Sequence, residues 1–140
     1  MSQFIEFAGN HMLLFGGFLV VTVLIIKMEL ESRLSGIDQL PPMEAVRLMD
    51  ESTLVLDVRE ANEYTTGHIN HAVHIPMSKL KDRIGELEKH KNKKVLAYCR
   101  SGSRSNYACK LLKKSGFENV HNLSGGVMAW SSANLPLTKK

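Results

Sequence analysis

Apolar residues follow two different patterns along the chain. Near the N-terminus, residues 12–26 form an unbroken uncharged run, MLLFGGFLVVTVLII. From residue 41 onward, short apolar runs alternate with segments in which apolar residues recur every three or four positions. The first pattern is typical of a membrane-spanning helix, and the second is typical of a domain in which strands and helices alternate.

The N-terminal run predicts a membrane anchor over residues 1–28, with the span at about 10–27. Fifteen helical residues extend about 22 Å, short of a bilayer core of about 30 Å, and His11 and Lys27 can reach the two interfaces. A cleaved signal peptide is disfavoured because no basic region precedes the run and no small-residue cleavage site follows it. A buried core helix is disfavoured because the segment is apolar on every side.

The charges that flank this run predict its orientation. The N-terminal side carries no Lys or Arg, whereas Lys27 and Arg33 follow on the C-terminal side. Basic flanks remain on the cytoplasmic side of a membrane. We therefore expect a single-pass protein of the inner (cytoplasmic) membrane, with residues 29–40 as a linker and residues 41–140 as a domain that faces the cytoplasm.

The pattern of the domain predicts an α/β fold with a mostly parallel sheet and helices on both faces. The predicted strands are residues 54–58, 72–75, 95–98 and 120–123, and the predicted helical segments are residues 42–50, 60–66, 78–89, 104–115 and 126–134. In such sheets, functional groups collect at the carboxyl ends of the strands. Two predicted strand ends carry reactive side chains, namely Asp57 with Arg59 and Cys99 with Arg100.

Composition and charge narrow the class of protein. Hydrophobic residues make up 44% of the 140 residues, which excludes a disordered chain. Residues 27–140 hold 18 basic against 13 acidic side chains, a net charge of +5. We interpret the lysine-rich segment 89–94 as a solvated face and expect no nucleic-acid partner, because the segment lacks interleaved aromatic residues. Two cysteines ten residues apart fit a reducing compartment better than a disulfide framework.

Residues 98–105, Tyr-Cys-Arg-Ser-Gly-Ser-Arg-Ser, carry the strongest chemical signal in the chain. Cys99 ends a predicted strand just before a helix N-terminus, where unpaired backbone N–H groups favour an anion. Gly102 allows the loop to curl, and the two arginines add positive charge. We expect a nucleophilic thiol with a lowered pKa. The predicted anion-binding residues are Arg100, Ser101, Gly102, Ser103 and Arg104.

This loop resembles the active-site loop of single-domain rhodaneses, and other stretches resemble further segments of the same family in the same order. These stretches are Leu56-Asp-Val-Arg-Glu, Glu63-Tyr-Thr-Thr-Gly-His-Ile with Ala72 and Ile75-Pro76, and Leu123-Ser-Gly-Gly-Val-Met-Ala-Trp. Together they cover about residues 37–135. An anchor followed by one such domain also resembles the layout of small bacterial membrane proteins of this family.

The resemblance implies a rhodanese-like fold and a sulfurtransferase. A donor such as thiosulfate gives its sulfane sulfur to Cys99, and the resulting persulfide passes it to a nucleophilic acceptor. No cofactor is implied, and the expected partners are a small sulfur donor, an acceptor and the membrane. The alternative is a membrane-tethered binding module that uses the fold to dock a protein. A phosphatase or arsenate-type enzyme is disfavoured because phosphatases place five residues between cysteine and arginine, whereas four separate Cys99 from Arg104.

Four residues outside the loop are assigned supporting roles: Asp57, Arg59, Glu63 and His68. The resemblance implies that Asp57 and Arg59 orient loops through charge-assisted hydrogen bonds, with a contact from Arg59 to a substrate anion as the alternative. It also implies that His68 braces a turn. The three neighbouring histidines His68, His71 and His74 suggest a metal site. Their spacing does not predict that the side chains converge, and we assign no metal.

Overall fold

The computed structural model describes residues 1–139, which divide into two compact units, Met1–Gly36 and the residues from Ile37 onward. The first unit holds helices α1 (Ser2–Asn10) and α2 (Met12–Leu34). The strands of the second unit are β1 (Asp38–Leu40), β2 (Leu54–Asp57), β3 (Val73–His74), β4 (Val95–Tyr98) and β5 (Val120–Leu123). Its helices are α3 (Pro42–Leu48), α4 (Ala61–Thr66), α5 (Met77–Arg83), α6 (Ser103–Lys114) and α7 (Gly126–Ser132), and a 3-10 helix, Ile84–His90, follows α5.

Helix α2 has the length and composition needed to cross a membrane over Met12–Glu31, and none of that stretch is buried. Its 20 residues extend about 30 Å, so the helix matches a bilayer core more closely than the uncharged run alone. Helix α1 is not predicted by the sequence pattern. It is separated from α2 by His11, whose φ of −128° and ψ of 48° interrupt the helical backbone.

The sheet of the second unit has the strand order β1-β5-β4-β2-β3, and every neighbouring pair is parallel. The predicted α/β class with a parallel sheet is therefore confirmed. Residues 38–40, assigned to the linker from the sequence, instead form the edge strand β1 beside β5. The strand has three residues, and two are exposed and polar, so no apolar run announces it. The rest of the predicted linker is helical through Leu34.

Alternate residues along the strands point to opposite faces of the sheet and build two separate cores. Leu54 and Leu56 belong to the core that α5, the 3-10 helix and α6 cover, and Val55 belongs to the core that α3 and α7 cover. The predicted placement of helices on both faces is thus confirmed. With both faces covered, the carboxyl edge of the sheet is left for chemistry.

Candidate active site

Cys99 follows β4 directly, at the carboxyl edge of the sheet. Its side chain has 0% exposure. Gly102 adopts a left-handed conformation with φ of 101°, which turns the chain from the end of the strand into α6. A side chain there would also press against Leu123 O and Gly125 N at 3.3 Å. Both the backbone conformation and the close neighbours therefore favour glycine at position 102.

Hydrogen bonds stabilise an anionic sulfur at this position. The Gly102 N–H donates to Cys99 Sγ over 3.1 Å, and the Ser105 hydroxyl lies 3.4 Å from the same sulfur. Burial raises the pKa of Cys99, but hydrogen bonds from the Ser105 hydroxyl and from the backbone N–H groups of the loop outweigh it. The net result is a Cys99 pKa below its ordinary value, which favours the thiolate, the reactive form of cysteine.

The two arginines of the loop have different surroundings. The Arg104 guanidinium donates to both carboxylate oxygens of Glu63, over 2.8 and 2.9 Å, and its positive charge is therefore largely paired. Arg100 is exposed and lines a neighbouring cleft. Ser101 and Ser103 are also exposed, with their hydroxyl oxygens 3.4 Å apart. The sequence predicts that Arg104 adds positive charge near Cys99, but its guanidinium is paired with Glu63. The pKa of Cys99 is lowered by the hydrogen bonds described above.

Asp57 and Arg59 form a buried ion pair at the neighbouring strand end. The guanidinium binds both carboxylate oxygens of Asp57 at 2.7–3.1 Å, and it also donates to the Gly67 carbonyl over 2.7 Å. The Arg59 backbone N–H donates to the same carboxylate over 2.9 Å. The bond to Gly67 joins the end of β2 to the turn after α4, and the bonds to Asp57 hold the Arg59 guanidinium in the position from which it makes that bond.

His68 and His74 both stack on the ring of Tyr64. The ring centroids lie 3.9 Å apart for His68 and 4.4 Å for His74, and the planes are nearly parallel. His68 Nδ1 also lies 3.1 Å from the Tyr64 carbonyl oxygen, and His74 Nε2 lies 2.7 Å from the Arg59 carbonyl oxygen. Among the described residues, no group of three His, Cys, Asp or Glu side chains is placed to hold a metal ion.

Two residues of the site were not singled out for roles from the sequence: Ser105 and Asn122. Both are buried, and Ser105 Oγ lies 2.6 Å from Asn122 Oδ1. Asn122 Nδ2 in turn donates to the Gly102 carbonyl over 3.0 Å and to Gln39 Oε1 over 2.8 Å. A sequence signal for Asn122 does exist, because an amide inside a buried strand needs hydrogen-bond partners there.

The model of the rhodanese-like domain family matches residues 42–133, which include the cysteine loop, the Asp57–Arg59 pair and the start of α7. The chain belongs to the rhodanese-like family. The membership confirms the family resemblance on which the sequence-based predictions of fold rested.

Two relatives match this rhodanese-like chain over different shares of its length. The protein YibN of Escherichia coli K12, described as uncharacterized, is 32% identical over 141 residues and is matched over 99% of both chains. A sulfurtransferase of Allochromatium vinosum is 40% identical over 92 residues, which cover 65% of this chain and 84% of that protein. The first likeness therefore includes the N-terminal unit, and the second is centred on the rhodanese-like domain.

A solved structure supports the fold independently. The crystal structure of a rhodanese-related protein from Thermoplasma volcanium superposes with a TM-score of 0.67 at 28% identity. The match covers 74% of this chain and 99% of that one. The rhodanese-like fold of the second unit is therefore shared over the full length of a known domain.

A cleft of about 500 Å³ opens beside the cysteine loop of the rhodanese-like domain. Arg100 supplies a positive charge to its lining, and Val127, Met128 and Leu137 supply apolar surface. The volume lies in the range of small-molecule sites. The remaining lining residues are Arg59, Asn62, Glu63, Thr66, Gly67 and Ser131.

Proposed function

We propose that the rhodanese-like domain is a sulfurtransferase in which Cys99 carries sulfur as a persulfide. The observation that carries this proposal is the hydrogen bond from the Gly102 N–H to Cys99 Sγ over 3.1 Å, with the Ser105 hydroxyl oxygen 3.4 Å from the same sulfur. A donor of this kind stabilises the thiolate and so raises the fraction of Cys99 in its reactive form. The name of the Allochromatium vinosum relative, a sulfurtransferase, supports the same chemistry.

The proposed reaction has two displacement steps. The Cys99 thiolate attacks the outer sulfur of a donor such as thiosulfate, and a new S–S bond forms. At the same time the S–S bond of the donor breaks, and sulfite leaves with the electron pair of that bond. A nucleophilic acceptor then attacks the outer sulfur of the persulfide, and the Cys99 thiolate leaves. Each step conserves charge and needs no cofactor. The nucleophile is completely covered at rest, so a donor reaches the sulfur only when neighbouring groups move aside.

The loading step is tested with thiosulfate and the purified full-length protein. Intact mass spectrometry is expected to show the gain of one sulfur atom, and added cyanide is expected to release thiocyanate. Cys99→Ser is expected to lose both reactions, because the attacking atom is gone. Cys109→Ser is the matched control and is expected to stay close to the wild type, since burial raises the pKa of Cys109 to about 12 and disfavours its thiolate. Full activity of Cys99→Ser would contradict the mechanism.

The cleft beside Arg100 favours one alternative function, a docking module that binds a partner without sulfur chemistry. The two hypotheses differ at Cys99. A docking module functions equally well with Cys99→Ser, whereas a sulfurtransferase does not. Complementation of a deletion strain with the Cys99→Ser protein, compared with its Cys109→Ser control, separates them.

We also propose that α2 anchors the protein in the inner membrane and that the domain faces the cytoplasm. The apolar stretch of α2 is exposed over Met12–Glu31. Exposed apolar surface of this extent has a large free-energy cost in water, which a bilayer removes. Lys27 and Arg33 follow the uncharged run, and their positive charge favours the cytoplasmic side. A free thiol at Cys99 also suits the reducing cytoplasm.

A further inference from the structure

The hydroxyl proton of Ser105 has more than one acceptor within reach. Ser105 Oγ lies 2.6 Å from Asn122 Oδ1, 3.2 Å from the Gly102 carbonyl oxygen and 3.4 Å from Cys99 Sγ. A serine hydroxyl has one proton and donates one hydrogen bond. The choice of acceptor therefore decides whether the sulfur receives a hydrogen bond from this side chain.

The partners of Asn122 fix the orientation of its amide. Its Nδ2 atom faces the Gly102 carbonyl oxygen over 3.0 Å, and a carbonyl only accepts, so the NH2 group must lie on that side. The same group donates to Gln39 Oε1 over 2.8 Å, and Gln39 donates through Nε2 to Asn106 over 3.0 Å. The amide oxygen of Asn122 consequently faces Ser105. Two oxygen atoms 2.6 Å apart share a hydrogen bond, and in this geometry Ser105 donates it to Asn122.

We propose that Asn122 is a positioning residue that competes with the Cys99 sulfur for the single hydroxyl proton of Ser105. The proposal rests on the sulfurtransferase function of Cys99 and deepens it. When Cys99 is a thiol, its S–H donates to Ser105 Oγ, and Ser105 donates to Asn122. When Cys99 is a thiolate, the Ser105 hydroxyl rotates toward the sulfur, and Asn122 loses that bond.

The competition links the hydrogen bond of Ser105 to the state of the sulfur. In a persulfide the negative charge moves to the outer sulfur, and the inner sulfur of Cys99 is no longer an anion. Ser105 then donates to Asn122 again. Asn122 thereby disfavours the bare thiolate relative to the persulfide, and this difference favours loading of the sulfur.

The experiment measures the thiol pKa of Cys99 in the full-length protein in detergent. The rate of alkylation by iodoacetamide is followed against pH, with the Cys99 peptide identified by mass spectrometry. Ser105→Ala is expected to raise the Cys99 pKa and slow alkylation near neutral pH by up to about tenfold, because a donor to the anion is lost. Asn122→Leu is expected to lower the pKa and speed alkylation, because Ser105 is released to the sulfur. The exposed residue Asn119, directly before the strand that holds Asn122, supplies the control variant Asn119→Leu, expected to match the wild type.

The sign of the Asn122 effect decides the question. If Asn122 merely holds the Gly102 loop in place, its loss loosens the donors around the sulfur and raises the pKa, as Ser105→Ala does. Shifts of opposite sign support the competition, and an Asn122→Leu shift that is upward or absent overturns it. If Asn122→Leu does not fold, Asn122→Ser removes the amide oxygen but keeps a hydroxyl for the Gly102 carbonyl, and the same outcomes apply.

A double variant tests the route of the effect. If Asn122 acts through Ser105, then Ser105→Ala/Asn122→Leu has the same thiol pKa as Ser105→Ala alone. Independent, additive shifts would overturn the proposal. Alkylation uses no sulfur donor, so these results stand whether or not thiosulfate loads the protein. A failure of the sulfurtransferase function is therefore distinguishable from a failure of this inference.

Discussion

At the scale of single residues, hydrogen bonds lower the pKa of Cys99 more than nearby positive charge does. The loop contains two arginines, yet Arg104 is paired with Glu63 at 2.8–2.9 Å. The atoms that contact the sulfur are the Gly102 N–H and the Ser105 hydroxyl. Glu63 does not contact the sulfur, and its effect on the loop is to fix the position of Arg104.

The Glu63–Arg104 pair makes stability depend on pH. Hydrogen bonds from Arg104 lower the pKa of Glu63 from 4.5 to about 2. Because folding lowers the pKa of Glu63, its carboxylate stabilises the folded state at pH values above the ordinary pKa of 4.5. This contribution is lost as the pH falls from 4.5 toward about 2. Glu63→Gln is expected to lower the Tm at neutral pH, because the partly exposed pair contributes up to about 1 kcal/mol to the free energy of unfolding.

Thermal unfolding of wild type and Glu63→Gln across acidic pH checks this prediction. The difference in Tm is expected to shrink as pH falls, because the glutamine does not titrate. Comparison of the two proteins at each pH removes the effect of the other acidic groups. A difference in Tm that stays constant down to pH 2 would show that the charge of Glu63 contributes nothing.

At the scale of elements, the N-terminus of α7 is hydrogen-bonded to the backbone of the cysteine loop. The Val127 N–H donates to the Cys99 carbonyl over 2.8 Å, and the Met128 N–H donates to the Arg100 carbonyl over 3.1 Å. Gly126 makes this approach possible. Its φ is 59°, and a Cβ atom there would lie 2.5 Å from the carbonyl oxygens of Cys99 and Arg100. Such contacts are far closer than backbone atoms tolerate.

Gly126→Ala is expected to destabilise the domain by more than about 2 kcal/mol, because the left-handed backbone and the clash with fixed carbonyl groups both oppose the methyl group. Gly85→Ala is the matched control. Gly85 is exposed, and no atom lies within 4 Å of the position of its Cβ, so the change is expected to stay within about 0.5 kcal/mol. Chemical denaturation of both variants measures the difference. Equal stability of the two would show that α7 can retreat from the loop at no cost.

At the scale of the whole molecule, the two units carry different kinds of surface. The N-terminal unit exposes large apolar side chains along both helices, whereas the second unit buries most of its apolar side chains in two cores. The exposed apolar surface of the N-terminal unit supports the proposed membrane anchor.

The proposed anchor predicts how the full-length protein fractionates in a bacterium. We expect it to remain in the membrane pellet after a high-salt or carbonate wash, which releases proteins held only by charge. Deletion of residues 1–28 is expected to give a soluble protein with unchanged thiosulfate:cyanide activity, since no site residue lies there. Release of the full-length protein by carbonate would contradict the anchor.

The orientation is checked with protease on the same material. Protease added to intact spheroplasts is expected to leave the domain uncut, and protease added to inverted vesicles is expected to digest it. Cleavage in spheroplasts would place the domain outside. Cys99 would then face an oxidising compartment, where a free thiolate is exposed to disulfide formation.

Much of the fold follows from local properties of the sequence. The buried strands β2 and β4 are short apolar runs, β5 begins and ends with an apolar residue, and periodic spacing and turn residues mark most of the helices, so their approximate positions are evident without a structure. Strand β1 is not evident, because its three residues have no apolar pattern and become a strand only by pairing with β5. The break at His11, which makes α1 a separate helix, has no such signal either.

The same division holds for the site. The sequence by itself determined the family and the glycine turn after Cys99, and it predicts Cys99 as the nucleophile, because these features lie in contiguous motifs. Only the tertiary structure decided the partners that come from distant segments: Glu63 for Arg104, separated by 41 residues, and Asn122 for Ser105, separated by 17. The physical reason is that hydrogen bonds act over about 3 Å, and the packing of the helices and strands sets which distant side chains lie within that distance.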